Sequence, residues 1–206
     1  MVFDALQNEL AAVADLSLLS SPADLDRYSR DAYDYSPVLR EQLSQCRADL
    51  VVSAASVQAV QAVAAACHRH GVPLTLRGSG TGNYGQSVPL KGGVVLLMDA
   101  LREVRSIDPA SGVVTVECGC LMRDLDRDLA VHSRQLRLFP STWRSATIGG
   151  FISGGSGGIG SVRWGFLRDP GHLLGLEVVT MEGEMKISPH PMVKMTTMGE
   201  SGLKKR

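Results

Sequence analysis

A chain of 206 residues, 44% of them hydrophobic, can bury the core of one large domain or two small lobes. Its 21 Lys and Arg balance its 21 Asp and Glu, which argues against nucleic acid as the main partner, because such proteins carry a basic excess. No apolar run reaches the ~18 residues of a spanning helix, and the acidic start MVFDALQNEL has no signal-peptide pattern, so the expected location is cytoplasmic.

Residues 1–20 read as an amphipathic helix with Leu6, Leu10, Val13 and Leu16 or Leu18 on one side. SSPADLDRYS follows, with a capping Ser and a Pro for the first turn of a short helix. Asp31–Pro37 has turn chemistry and reads as irregular. Residues 1–47 are therefore expected to be a helical extension packed outside the main domain.

From Ala48 the pattern becomes α/β. DLVVSA is a buried strand, Ser56 caps the helix VQAVQAVAAACHRH, Gly71 stops it, and PLTLR is the next strand. Strand, helix and strand make a βαβ unit with parallel pairing. A glycine-rich turn follows. GVVLLMDA, EVRSID and GVVTVECG then read as three short strands, the last two a hairpin. MRDLDRDLAVHS is a short charged helix, residues 147–160 form a second glycine-rich stretch, and HLLGLEVVTMEGE ends in a strand and a turn at Glu182-Gly183. Four of the five Lys lie from Lys186 onward. This composition shift sets a boundary, with a domain over 48–184 (lobes about 48–88 and 89–184) and a disordered or non-native tail over 185–206.

Two stretches match GxGxxG: Gly80, Gly82, Gly85 and Gly155, Gly157, Gly160. Neither opens a helix of useful length, so neither is a nicotinamide fingerprint. A glycine-rich turn can instead present successive N–H groups to an anion. Two such turns could enclose a diphosphate. Cys46, Cys67, Cys118 and Cys120 lack zinc spacing and read as free thiols, and His68 and His70 diverge on a helix, so no metal is expected.

PLTLRGSGTG, VVTVECG, FPSTWRSATIGGFISGGSGG and LGLEVVTMEGE, in this order, resemble the FAD-binding domain of the p-cresol methylhydroxylase/vanillyl-alcohol oxidase class (PCMH-type). Within it the glycolate oxidase and D-lactate dehydrogenase branch is most similar. The resemblance implies an α+β fold of two α/β lobes with FAD between them, the second lobe carrying a mixed, mostly antiparallel sheet. It implies that Arg77, Gly78, Ser79, Gly80, Thr81 and Gly82 wrap the FAD pyrophosphate with main-chain N–H groups, the alternative for Arg77 being a surface or lobe-bridging arginine. Pro140, Ser141 and Thr142 would approach the flavin. Ala146, Thr147, Ile148, Gly149 and Gly150 would line the cofactor, with Thr147 as a hydrogen-bonding group. Gly154, Gly155, Gly157 and Gly158 would form the second cradle, and Val178 and Val179 would touch the adenine end. Covalent members carry a flavin-bonding histidine in the first turn; Thr81 stands there, which implies non-covalent FAD. The block RWGFLRDPGHLLG departs from the pattern and leaves Arg163, Trp164 and Gly165 open.

In such enzymes a 2-hydroxy acid loses a hydride from its α-carbon to the flavin, and a C-terminal cap domain supplies the substrate-binding groups. This chain ends before a cap, so it is expected to be C-terminally truncated and inactive alone. No pattern marks Arg144, Arg163, Arg168 or His172 as catalytic. Two alternatives remain: a same-fold flavoenzyme of the UDP-N-acetylenolpyruvoylglucosamine reductase type, and a non-catalytic module that has lost FAD.

Overall fold

The computed structural model describes residues 2–33, 36–155 and 157–189. They form two units, one of residues 2–101 with Val178–Lys186, the other of Arg102–Glu177 with residues 187–189.

The first unit begins with α1 (Val2–Ala11), β1 (Leu16–Leu19), α2 (Pro22–Tyr28) and α3 (Pro37–Leu43). It continues with β2 (Leu50–Ala54), α4 (Val57–His70), β3 (Leu74–Arg77) and β4 (Val94–Leu97). The strands form one sheet in the order β1-β2-β4-β3. β4 runs parallel to both neighbours, with Val94 paired to Leu50 on one side and Leu74 on the other. All four β4 residues are buried, as a continuous apolar run should be when helices cover both sheet faces. On one face lies α4, capped by Ser56, which accepts the Ala59 N–H at 3.2 Å, and ended by left-handed Gly71. Its buried Ala59, Val63 and Ala66 are joined by α1, whose Leu6 and Leu10 are fully buried. On the other face Ala48, Val51, Val95 and Leu97 pack against Leu19 and against Leu25 and Tyr28 of α2.

Two expectations change here. The N-terminal helix stops at Ala11, and Asp15 in the left-handed region (φ 58°) turns the chain into β1, antiparallel to β2. The extension therefore supplies an edge strand of the sheet. The second change is that β4 lies in the sheet of this unit, whose first segment runs to Leu101. A fully buried strand is better satisfied between two parallel partners than in a half-exposed antiparallel sheet.

The second unit contains β5 (Val104–Asp108) and β6 (Val113–Val116), an antiparallel hairpin with Val104 opposite Val116. It continues with α5 (Met122–Ala130), α6 (Ile148–Ser153) and α7 (Ser161–Trp164). Met122, Leu125 and Leu129 make the buried stripe of α5 and meet Leu136, Leu138, Ile148, Phe151 and Leu167. Val104, Ile107, Val114 and Val116 cover this cluster. Among the described residues, separate two-stranded sheets stand where a mixed sheet was expected.

β7 (Gly175–Val179) and β8 (Met185–Pro189) form the last sheet. Gly183 in their turn has φ 81° and accepts the Gln61 side-chain amide N–H of α4 at 2.8 Å. β8 occupies the start of the expected tail; residues 190–206 of that tail lie outside the described residues.

Candidate functional site

The first glycine-rich turn leaves the carboxyl end of β3, where parallel α/β sheets place their ligands. Among the described residues, the N–H groups of Gly78, Ser79, Gly80, Thr81 and Gly82 donate to no protein acceptor. Gly80 has φ 65°, and a Cβ there would overlap the Arg77 guanidinium, so this position requires glycine. The Gly80 carbonyl accepts the Ala32 N–H at 2.7 Å.

Beneath the turn lies a buried polar network. Arg77 is 6% exposed and donates from Nη1 to Ser87 Oγ at 3.2 Å and to the Tyr28 carbonyl at 3.5 Å. The same Nη1 lies 3.9 Å from Asp31 Oδ1. Asp31 accepts the Gly85 N–H at 3.1 Å and the Ser87 hydroxyl. The Arg77 guanidinium thus lies beside Gly80 of the turn, with the Asp31 carboxylate and Ser87 as buried partners. Sequence reasoning missed Asp31, Ser87 and Tyr28. Asp31 sits in a stretch that reads as a turn, and its partners lie 54 and 56 residues away, beyond any local pattern.

In the second unit Thr147 is 2% exposed and caps α6, accepting the Gly150 N–H at 3.2 Å. The Ile148 and Gly149 N–H groups donate to the Cys120 and Cys118 carbonyls at 2.9 and 2.8 Å. A Cβ on Gly149 would come within 2.6 Å of Cys118 Cβ, so the bare glycine lets the helix start lie on that segment. The glycine-rich stretch therefore opens with a helix, which its glycines disguise in the sequence. Gly154 and Gly155 donate to Gly150 and Ile152 carbonyls at 3.0 and 3.1 Å. Of the expected second cradle, only the Gly157 and Gly158 N–H groups lack a protein acceptor among the described residues. Gly158 (φ 67°) passes over the Phe139 carbonyl, and Phe139 and Ile159 exchange backbone hydrogen bonds of 2.7 and 3.3 Å. Pro140, Ser141 and Thr142 form the adjoining turn, in which Thr142 accepts the Ser145 and Ala146 N–H groups at 2.8 and 2.9 Å.

Val178 and Val179 close β7 in the first unit, with Val178 exposed. Arg163 and Arg137 each lie 4.8 Å from the Trp164 ring centroid, and buried His172 pairs through Nε2 with the Trp164 carbonyl at 2.8 Å. Arg144 and Arg168 lie over Trp143 and Phe166. Those four candidates thus have packing partners. Among the described residues no cluster of His, Cys, Asp and Glu could hold a metal, and no helix is long and apolar enough to cross a membrane.

Burial pushes the Cys67 and Cys120 thiols up to about 11 from an ordinary 9.0. The unfolded chain ionises these thiols first, so their contribution to stability is complete below pH 9.0 and is lost as pH rises toward 11. Urea midpoints measured across that window should fall, and should fall less steeply in a Cys67→Ala/Cys120→Ala variant.

The sequence profile of the family described as "FAD binding domain" matches residues 48–188. The chain is 32% identical over 169 residues to glycolate oxidase subunit GlcD of Bacillus subtilis (strain 168), covering 81% of this chain and 35% of that protein. It is 30% identical over 143 residues to D-lactate dehydrogenase of Anaerostipes hadrus, covering 68% of this chain and 29% of that protein. The chain thus spans about a third of the length of these curated relatives. Among solved structures, an alkyldihydroxyacetonephosphate synthase superposes with a TM-score of 0.76 at 20% identity, over 91% of this chain and 38% of that one. This likeness shows the α+β fold.

Proposed function

This chain belongs to the family of FAD binding domains, and we propose that its first glycine turn holds the FAD diphosphate through backbone N–H groups. The observation that carries the reading is the run of five N–H groups, Gly78 to Gly82, without protein acceptors among the described residues. A dianionic diphosphate has the acceptors that such a run lacks, and the glycines let it approach the main chain. Gly157 and Gly158 offer the same chemistry in the second unit. In this reading Pro140, Ser141 and Thr142, with the Ala146–Gly150 segment, Gly154 and Gly155, line the flavin side. Val178 and Val179 lie along the adenine.

FAD, when bound, supplies two-electron redox chemistry. The chain's own residues bind and orient it and shield it from water. Thr81 has no nucleophilic ring nitrogen to offer the flavin, so the cofactor is held non-covalently. By the names of the relatives, the whole protein, of which this chain spans about a third, oxidises a 2-hydroxy acid of the glycolate or D-lactate type. The test is an absorbance spectrum of the chain after FAD addition and gel filtration, followed by acid precipitation. The expected result is a bound flavin spectrum that moves entirely to the supernatant. Flavin retained in the pellet overturns the non-covalent assignment, and a colourless protein overturns cofactor binding by this chain.

A further inference from the structure

We propose that Asp31, from the N-terminal extension, is a positioning residue for the phosphate-binding turn. The proposal rests on the reading of that turn as an FAD diphosphate site. Asp31 lies outside the 48–188 family match, yet its carboxylate is completely buried against the turn. One oxygen takes the Gly85 N–H at 3.1 Å, at the far end of the turn. The other takes the Ser87 hydroxyl and faces Arg77 Nη1 at 3.9 Å, at the near end. The next residue, Ala32, donates to the Gly80 carbonyl at 2.7 Å, in the middle. One short segment thus grips the turn at three points. The Arg77 guanidinium fills the space beside Gly80 where a side chain would otherwise project.

This arrangement has a physical purpose. Glycine-rich turns lose much conformational freedom on ordering, and N–H groups without acceptors provide no hydrogen bonds to hold them. An external clamp settles that entropy before the ligand arrives, so affinity is not spent on ordering the turn. A buried carboxylate suits the role because it accepts several hydrogen bonds at once, and each is stronger for its charge.

The experiment compares the whole chain with Asp31→Asn and Ser87→Ala, the latter a small change that leaves the carboxylate in place. FAD and ADP, both carrying the diphosphate, are titrated by fluorescence and calorimetry. Amide exchange is followed at Ala32 and Val88, whose N–H groups bond to Gly80 and Gly85 carbonyls, and at Val63 and Ala64 in α4 as controls. Asp31→Asn should weaken FAD and ADP equally, by roughly tenfold, and speed exchange at Ala32 and Val88 alone. Ser87→Ala should do the same by roughly threefold. Unchanged affinity with unchanged exchange at Ala32 and Val88 overturns the proposal, as does acceleration spread evenly through α4. A wild-type chain that binds neither FAD nor ADP defeats the diphosphate reading, while the exchange pattern still decides whether Asp31 sets the turn.

Discussion

Arg77→Ala should lower the stability of the chain by about 3–5 kcal/mol, the usual cost of removing one partner from a buried ion pair. The Asp31 carboxylate is 0% exposed and the Arg77 side chain 7%, so no water replaces the lost charge. The substitution also vacates the space beside Gly80 and leaves Ser87 and the Tyr28 carbonyl without their donor. Urea unfolding at neutral pH gives the number directly. An Arg77→Met/Asp31→Asn double variant removes both charges, keeps an acceptor for the Gly85 N–H, and should regain much of the loss in a double-mutant cycle. A loss below about 1 kcal/mol for Arg77→Ala would match an exposed surface pair and contradict the burial described here.

Gly158→Ala and Gly155→Ala should behave very differently, although both residues are left-handed, with φ 67° and 60°. An added Cβ at Gly155 meets nothing within 4 Å. It should cost only the left-handed penalty of about 1–2 kcal/mol. At Gly158 the Cβ would lie 2.7 Å from the Phe139 carbonyl oxygen and 3.0 Å from its carbon. Backbone cannot swing aside as a side chain can, so the Phe139–Ile159 bridge must open. The overpacking adds about 1–3 kcal/mol to the conformational penalty. Phe139 also stacks edge-on with Trp143 at 6.3 Å, so tryptophan fluorescence should report the displacement in Gly158→Ala and stay unchanged in Gly155→Ala. FAD binding should follow the same order. Equal urea midpoints for the two variants would show that crowding at Phe139 has no effect.

The βαβ core was legible because each signal is local. Ser56 caps, Gly71 stops, and the spacing of apolar residues between them gives the buried face of α4. The first glycine turn was legible for the same reason. β1 was not: four residues, with only one exposed, carry no alternation, and the helical stripe through Leu6 and Leu10 extends smoothly into Leu16. The position of β4 was hidden because a short buried run looks alike in a hairpin and in the centre of a parallel sheet. α6 was hidden by Gly149 and Gly150, whose low helix propensity is overridden by the Thr147 cap and by packing of Ile148 and Phe151. The clamp around Asp31 was invisible because its members meet only in three dimensions. Its acid stands in a segment where Asp ordinarily serves a turn.

The hydrogen bond from Gln61 to Gly183 joins residues 122 apart, and the chain between them includes Arg102–Glu177 of the second unit. On the ribosome the first unit therefore cannot be completed in order of synthesis. Its sheet and α4 emerge early, but the closing hairpin arrives only after residues 102–177 have been made. At about 5–20 residues per second, the nascent first unit waits several seconds with the α4 surface around Gln61 and Ala65 uncovered. Chaperone capture during translation should be strongest in that interval and should end as the β7–β8 turn clears the exit tunnel.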